Sequence, residues 1–280
     1  MKITNPLQIL RLYRNFTGLG FGWPSYLISS SNFANLALVE VNSNDLTVVL
    51  QYGDFFEYAV IFAGNINCDD NGDPIIYLNA QVSEILETKQ PAQLQQKNIK
   101  VLMGLLNNHE PCGWSCQVTD DNALKLATNI SNLIEQYQLD GIFVDDEYSS
   151  CSYKDNNQIT KTLYFLRNNT SFQNKIIGMD VSVGTYNPNF IFNNTSLQTL
   201  LDIIYIEYYS LTDIMDLYET KLNTWHNQKN KFYFSVQDYC IPCATEAANF
   251  IVQNNLPGIA VFNLTSSDTT FINNIKNILY

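Results

Sequence analysis

The segment Leu139-Asp-Gly-Ile-Phe-Val-Asp-Asp-Glu-Tyr148 begins as an apolar strand and ends in three consecutive acids. Acids are poor strand formers, so their place at the end of such a run needs a reason. Side chains alternate along a strand: Phe143, Asp145 and Glu147 share one face, Val144 and Asp146 the other. At the rise of a strand, the Cα atoms of Asp145 and Glu147 are about 6.6 Å apart. Like charges that close do not ionise freely together, so one carboxyl is expected to keep a proton and the other its charge. Glu147 is expected to be the acid and Asp145 the ionised partner, a division that suits general acid catalysis. On acidity alone, a calcium-binding or merely solvated acidic turn fits equally well.

Outward from this segment, short apolar runs recur at 36–41, 58–62, 99–105, 139–144, 175–181, 202–206, 232–236 and 258–262. Helical spacing fills 79–88, 121–137, 158–167, 213–227, 245–254 and 268–279. Strands alternating with helices imply parallel strands joined by crossovers. Near-continuous apolar runs are what strands covered on both faces should show. Eight runs predict an α/β fold, a single eight-fold β/α (TIM) barrel over residues 36–280. The first connection lacks a helical pattern, so that unit is expected to be degenerate. Residues 1–35 show no sustained period and read as an irregular N-terminal extension. No glycine-rich phosphate loop follows any run, which disfavours a dinucleotide-binding open sheet. In a barrel, active sites lie at the C-terminal ends of the strands, where Asp145 and Glu147 fall.

Composition narrows the partners. Charged residues make up only 15% of the 280, and the formal net charge is −12. That balance argues against nucleic acid and anionic membrane surfaces, which need clustered Lys and Arg. With 17 Tyr, 16 Phe and 3 Trp, a neutral partner such as a sugar fits better, and a monomer is expected. No apolar run approaches the ~20 residues of a membrane-spanning helix. The first residues carry no clear signal peptide. Six cysteines leave more than one reading: Cys112 and Cys116 lie four apart, Cys240-Ile-Pro-Cys243 is a close pair, and Cys68 and Cys151 remain. Local disulfides, inert thiols or a zinc site all fit, although no His/Cys/carboxylate cluster argues for a metal. His226, beside Trp225 in a helical segment, reads as structural.

Asp140-Gly-Ile-Phe-Val-Asp-Asp-Glu147 resembles the DGxDxDxE signature of glycoside hydrolase family 18, and its continuation to Ser150 resembles endo-β-N-acetylglucosaminidases of the endoglycosidase H and F type. Val60-Ile-Phe-Ala-Gly-Asn-Ile-Asn-Cys-Asp69 and Ile99-Lys-Val-Leu-Met-Gly-Leu-Leu-Asn-Asn-His109 are similar to that subgroup's second and third strands. The resemblance runs from about residue 36 to the C-terminus. It implies hydrolysis of the GlcNAc-β1,4-GlcNAc bond in the chitobiose core of high-mannose or hybrid N-glycans, with no cofactor and no metal, and it leans toward an extracellular protein. A chitinase, or an inactive glycan-binding barrel, is the alternative. Glu147 would be the general acid/base and Asp145 the group that positions the substrate's 2-acetamido group. The acetamide itself would be the nucleophile, a known exception to two-carboxylate glycosidases. Tyr208, or Tyr209 if the register slips by one, would bind the acetamide. His109 with Asn108 would shape a sugar subsite, and Asn65 and Asn67 would bind sugar or hold their loop. Asp180, ending the fifth run, has either a mouth or a structural role. One departure is Phe143, where the family commonly has Asp, which removes a carboxylate that would share a proton with Asp145.

Overall fold

The computed structural model describes residues 33–116, 119–182, 185–226 and 228–280. Eight strands line the barrel: β1 (Asn35–Glu40), β2 (Phe56–Cys68), β3 (Lys100–Asn107), β4 (Gly141–Asp145), β5 (Ile176–Asp180), β6 (Ile203–Glu207), β7 (Phe232–Val236) and β8 (Gly258–Val261). They pair in parallel in the order β1-β8-β7-β6-β5-β4-β3-β2, and β1 also pairs with β2, which closes the sheet. Around them pack α1 (Ala80–Glu87), α2 (Gln90–Gln95), α3 (Asp120–Gln136), α4 (Ile159–Asn168), α5 (Ile214–Thr224), α6 (Ile241–Asn254) and α7 (Thr269–Leu279). All eight apolar runs become strands. The first crossover is a 3-10 helix, Leu46–Tyr52, so that unit is degenerate as its sequence implies. The irregular extension expected over 1–35 lies, apart from its last three residues, outside the described residues.

Two departures concern the second strand and the cysteines. β2 runs past residue 62 to Cys68 and folds back through an antiparallel strand, Pro74–Tyr77. Asn65 and Asn67 alternate with buried Ile66, so this stretch has a period of two that a search for apolar runs overlooks. Cys112 and Cys116 do not pair with each other. The disulfides are Cys68–Cys112, Cys116–Cys151 and Cys240–Cys243. The first two staple the loops after β2, β3 and β4 to one another at the mouth. They close 44 and 35 residues, which on the chain-entropy account stabilises the fold by about 4 kcal/mol each.

The interior holds Leu36, Leu38, Val60, Leu102, Phe143 and Tyr205, among others. Val144 faces the opposite way, into the layer between sheet and helices. Phe143 and Tyr205 meet edge to face at 5.2 Å. Room for Phe143 comes from Gly178 on β5, where an added Cβ would stand 2.9 Å from its ring. At Gly141, which starts β4, a Cβ would lie 2.0 Å from the Ile176 carbonyl oxygen, so only glycine fits. Asp140 sits at the same end of the strand, accepting from Val101 N–H and Gln95 Nε2, each at 2.9 Å. The Asp-Gly that opens the acidic motif therefore builds the bottom of the barrel, and the acids that follow stand at its other end.

Candidate active site

Because β4 alternates, Phe143 and Asp145 point inward, and Asp145 emerges above the aromatic floor at the C-terminal mouth. There a cavity of about 410 Å³ is lined by Glu40, Asp145, Glu147, Asp180, Glu207 and Tyr209 together with apolar side chains. Five carboxylates and no cation line it. A hollow of about 450 Å³ lies between the C-terminal ends of α1 and α3, at the opposite end of the barrel, and contains no such cluster. Among the described residues no group of His, Cys, Asp and Glu could hold a metal ion.

Asp145 is 6% exposed, and its Oδ1 has no hydrogen-bond partner among the described residues. Burial first, then the charges of Asp180, Glu147 and Glu207, push its carboxyl up to about 8. Burial and these neighbours favour the protonated form of Asp145, against the expectation that it is the ionised partner. Two acids from other strands, invisible to spacing within one segment, cause part of the shift, and depth in the barrel causes most of it. Asp180 is pushed up to about 7 by burial and then by Glu207. Glu207 is raised by burial and then by Glu147.

A sign follows for stability. Unfolded, Asp145 loses its proton near 3.8, whereas the folded protein keeps it to about 8. The folded state binds more protons in between, so this group makes stability fall as pH rises from about 4 to about 8. Asp145→Asn cannot lose that proton. Thermal melts are expected to show a smaller loss of Tm between about pH 5 and 8 in Asp145→Asn than in the wild type; equal losses would show that the group is not held protonated.

Asp146, on the other face, is buried in a separate network. It accepts from Asn107 Nδ2 at 2.9 Å and from Ser115 Oγ, and Lys154 Nζ lies 3.8 Å away. This network anchors the loops after β3 and β4 to each other. Glu147 follows, half-buried at the cavity.

Tyr208 is not in the mouth. It is 1% exposed, packs against Phe234 in the outer layer, and donates to Thr212 O at 3.0 Å and Glu246 Oε2 at 2.7 Å. Tyr209 is the tyrosine that lines the cavity, its hydroxyl 2.5 Å from that of Tyr205. Alternation explains the correction: Tyr205, Glu207 and Tyr209 share the inward face, and Tyr208 belongs with Ile204 and Ile206. Glu207 was missed by sequence reasoning although it carried the signal, since an acid ending a barrel strand belongs in the mouth, and its parity selects Tyr209.

The remaining site candidates stand at the rim, and none lines the cavity. Asn108 Nδ2 donates to Asn67 Oδ1 at 2.9 Å, and Asn67 Nδ2 to Glu110 Oε1 at 3.1 Å, so both hold the loops together. Asn65 is half-buried in the β2 hairpin. His109 is exposed, with its ring 5.2 Å from that of exposed Tyr148.

A closed barrel with its acids gathered at the C-terminal mouth has the fold of the glycoside hydrolase family 18 barrels. The catalytic domain of a family GH18 chitinase from the fern Peteris ryukyuensis matches with a TM-score of 0.64 at 14% identity, over 88% of this chain and 99% of that one. EndoBT-3987 of Bacteroides, crystallised with Man5GlcNAc product, matches with a TM-score of 0.72 at 19% identity, over 91% of this chain and 62% of that one. In sequence the chain is similar to an endo-beta-N-acetylglucosaminidase of Flavobacterium sp. (strain SK1022), 35% identical over 135 residues, and to endo-beta-N-acetylglucosaminidase F1 of Elizabethkingia meningoseptica, 31% identical over 131 residues. These matches cover 46% and 44% of this chain, and 43% and 38% of the relatives, so less than half of each relative is spanned. No protein-family model matches the chain.

Proposed function

We propose that this protein is a glycosidase that cleaves the GlcNAc-β1,4-GlcNAc bond of the N-glycan chitobiose core, acting on high-mannose or hybrid glycans. The observation that carries the reading is the placement of Asp145 and Glu147 on one inward face of the mouth, within a chain similar to two endo-β-N-acetylglucosaminidases. The structural neighbour EndoBT-3987 has been crystallised with a Man9GlcNAc2Asn substrate, which supports the same substrate class. In this mechanism the acetamide carbonyl oxygen attacks the anomeric carbon as Glu147 protonates the departing oxygen. The glycosidic C–O bond breaks and an oxazolinium forms. Glu147, now a base, takes a proton from the water that opens it. Asp145 accepts the acetamido N–H and holds the carbonyl in line, and its unpartnered Oδ1 is available for that bond. Tyr209, in place of Tyr208, orients the acetamide. Tyr148, which lines the cavity, and His109 beside it offer a ring surface to a sugar at the mouth's rim. The three disulfides fit an oxidising compartment.

The test is digestion of a denatured high-mannose glycoprotein and, in parallel, of chitin oligomers. Released glycan with the oligomers intact supports this reading; cleavage of the oligomers alone supports a chitinase. The two tyrosines separate further. Tyr209→Phe is expected to lower turnover severalfold, since one orienting hydrogen bond is lost. Tyr208→Phe is expected to leave turnover near wild type and to lower unfolding stability by about 1 kcal/mol, through the bond to Glu246. Steady-state kinetics and urea denaturation of both variants check this, and the opposite pattern would return the role to Tyr208.

A further inference from the structure

The hollow of about 450 Å³ between the C-terminal ends of α1 and α3 is within the size range of small-ligand sites. Buried Leu86 and Pro91 and half-buried Tyr137 supply its apolar part. Around them stand Glu87, Lys89, Gln95, Gln136 and Gln138. Gln95 is engaged inside the protein: its Nε2 donates to Gln138 O and to Asp140 Oδ2, each at 2.9 Å, and so fixes one wall. The other polar groups are free to meet a ligand. Among the described residues, the side chains of Glu87, Lys89, Gln136, Tyr137 and Gln138 have no hydrogen-bond or ion-pair partner.

The backbone points to the same place. Lys89 and Gln138 follow α1 and α3 with φ of 56° and 54°, a left-handed conformation that glycine adopts freely and long side chains resist. After α2 and α6 the same conformation falls on Asn98 and Asn255, residues that tolerate it. His226, after α5, has its ring against Asn189. Among the described helix ends, only the two at this hollow hold a long, unpartnered side chain in the strained conformation. Such strain collects where a ligand is held. Charge then selects the ligand. Glu87 and Lys89 cancel, the carbonyl ends of two helices disfavour an anion, and Lys89 opposes a cation. The amides and the Tyr137 hydroxyl both donate and accept. A neutral ligand with many hydroxyls and one apolar face meets all these conditions, and a sugar ring is such a ligand.

We propose that this hollow is a second carbohydrate site, which holds one ring of a neutral oligosaccharide against Tyr137 with Lys89, Gln136 and Gln138 bonded to its hydroxyls. It lies at the opposite end of the barrel from the acids, so it stands whether or not the mouth cleaves glycans. Paired with a glycan-cleaving mouth, it adds a second point of attachment to a surface that carries many glycans, and two weak sites on one body bind such a surface more tightly than either alone.

The experiment follows backbone amide NMR signals of the full chain as Man5GlcNAc, which has no chitobiose bond to cut, or the GlcNAc disaccharide is added. Signals of residues 86–92 and 136–138 are expected to shift saturably with at least one of the two sugars, as a set separate from those of the mouth. Tyr137→Ala should weaken binding at this set about tenfold, the usual loss when an aromatic anchor is removed, and leave the mouth's signals as they were. Lys89→Gly and Gln138→Gly separate a ligand role from a structural one. Glycine relieves the backbone, so each should raise Tm by about 2–4 °C, yet each should weaken sugar binding at the hollow severalfold and leave glycan release from a denatured glycoprotein unchanged. No saturable shift at 86–92 and 136–138 with either sugar, or sugar binding there that survives all three substitutions, overturns the second site while the proposed function stands. Saturable shifts at the hollow in a protein that releases no glycan support the site and overturn the proposed function alone.

Discussion

Glu147→Gln protein is expected to lose about two to four orders of magnitude in kcat, the usual worth of a general acid, while still binding its glycan. Glu147 lies two residues beyond Asp145, in the loop after β4, half-buried, and lines the same cavity. Without a proton the leaving sugar departs as an alkoxide, and nothing else among the cavity-lining groups is placed two residues from Asp145 to supply one. Glutamine keeps the shape and a hydrogen bond but has no proton to give, so the loss should fall on kcat more than on KM. Single-turnover release from a glycopeptide, beside calorimetric binding of the same glycopeptide, separates the two. Unchanged hydrolysis by a folded variant would remove Glu147 from the mechanism.

The second large effect lies in the substrate. A matched disaccharide with a 2-hydroxyl in place of the 2-acetamido group at the reacting sugar is expected to turn over at close to the uncatalysed rate. On the proposed mechanism it keeps most binding contacts but lacks the nucleophile. Effective molarities for well-aligned internal nucleophiles reach about 10⁵–10⁸ M, or roughly 7–11 kcal/mol of barrier. Their loss outweighs anything a single side chain contributes. The comparison of kcat/KM for the acetamido and hydroxyl substrates, with binding of the latter measured separately, checks this. Comparable turnover would point to a nucleophile on the protein, with Asp145 the first candidate.

Much of this architecture was legible in the chain. Strands buried on both faces must be apolar throughout, so the eight runs stood out and their spacing implied the barrel. The acids at 145–147 broke that rule and marked the mouth. The same uniformity hid other features. The resemblance pointed by position to Tyr208, with Tyr209 one register away, although Glu207 at the end of the same strand carried the parity that selects Tyr209. Asn65 and Asn67 pointed to sugar or loop, and only the folded loops show Asn67 bonded to Glu110 and Asn108.

Strand alternation led to the expectation that Asp145 and Glu147 face together, and, although β4 ends at Asp145, both line the cavity. What pushes the carboxyl of Asp145 up was decided by the closed sheet. Asp180 and Glu207 are 35 and 62 residues from Asp145 along the chain (180 less 145, and 207 less 145), and they meet it only because β4, β5 and β6 are neighbours. Burial depth and the charges of side chains from other strands act through space, so no reading of residues 139–148 by themselves could have shown how far the carboxyl of Asp145 is pushed up. The pairing of Cys68 with Cys112 and of Cys116 with Cys151 was decided the same way, by which strand ends the barrel brings side by side at its mouth.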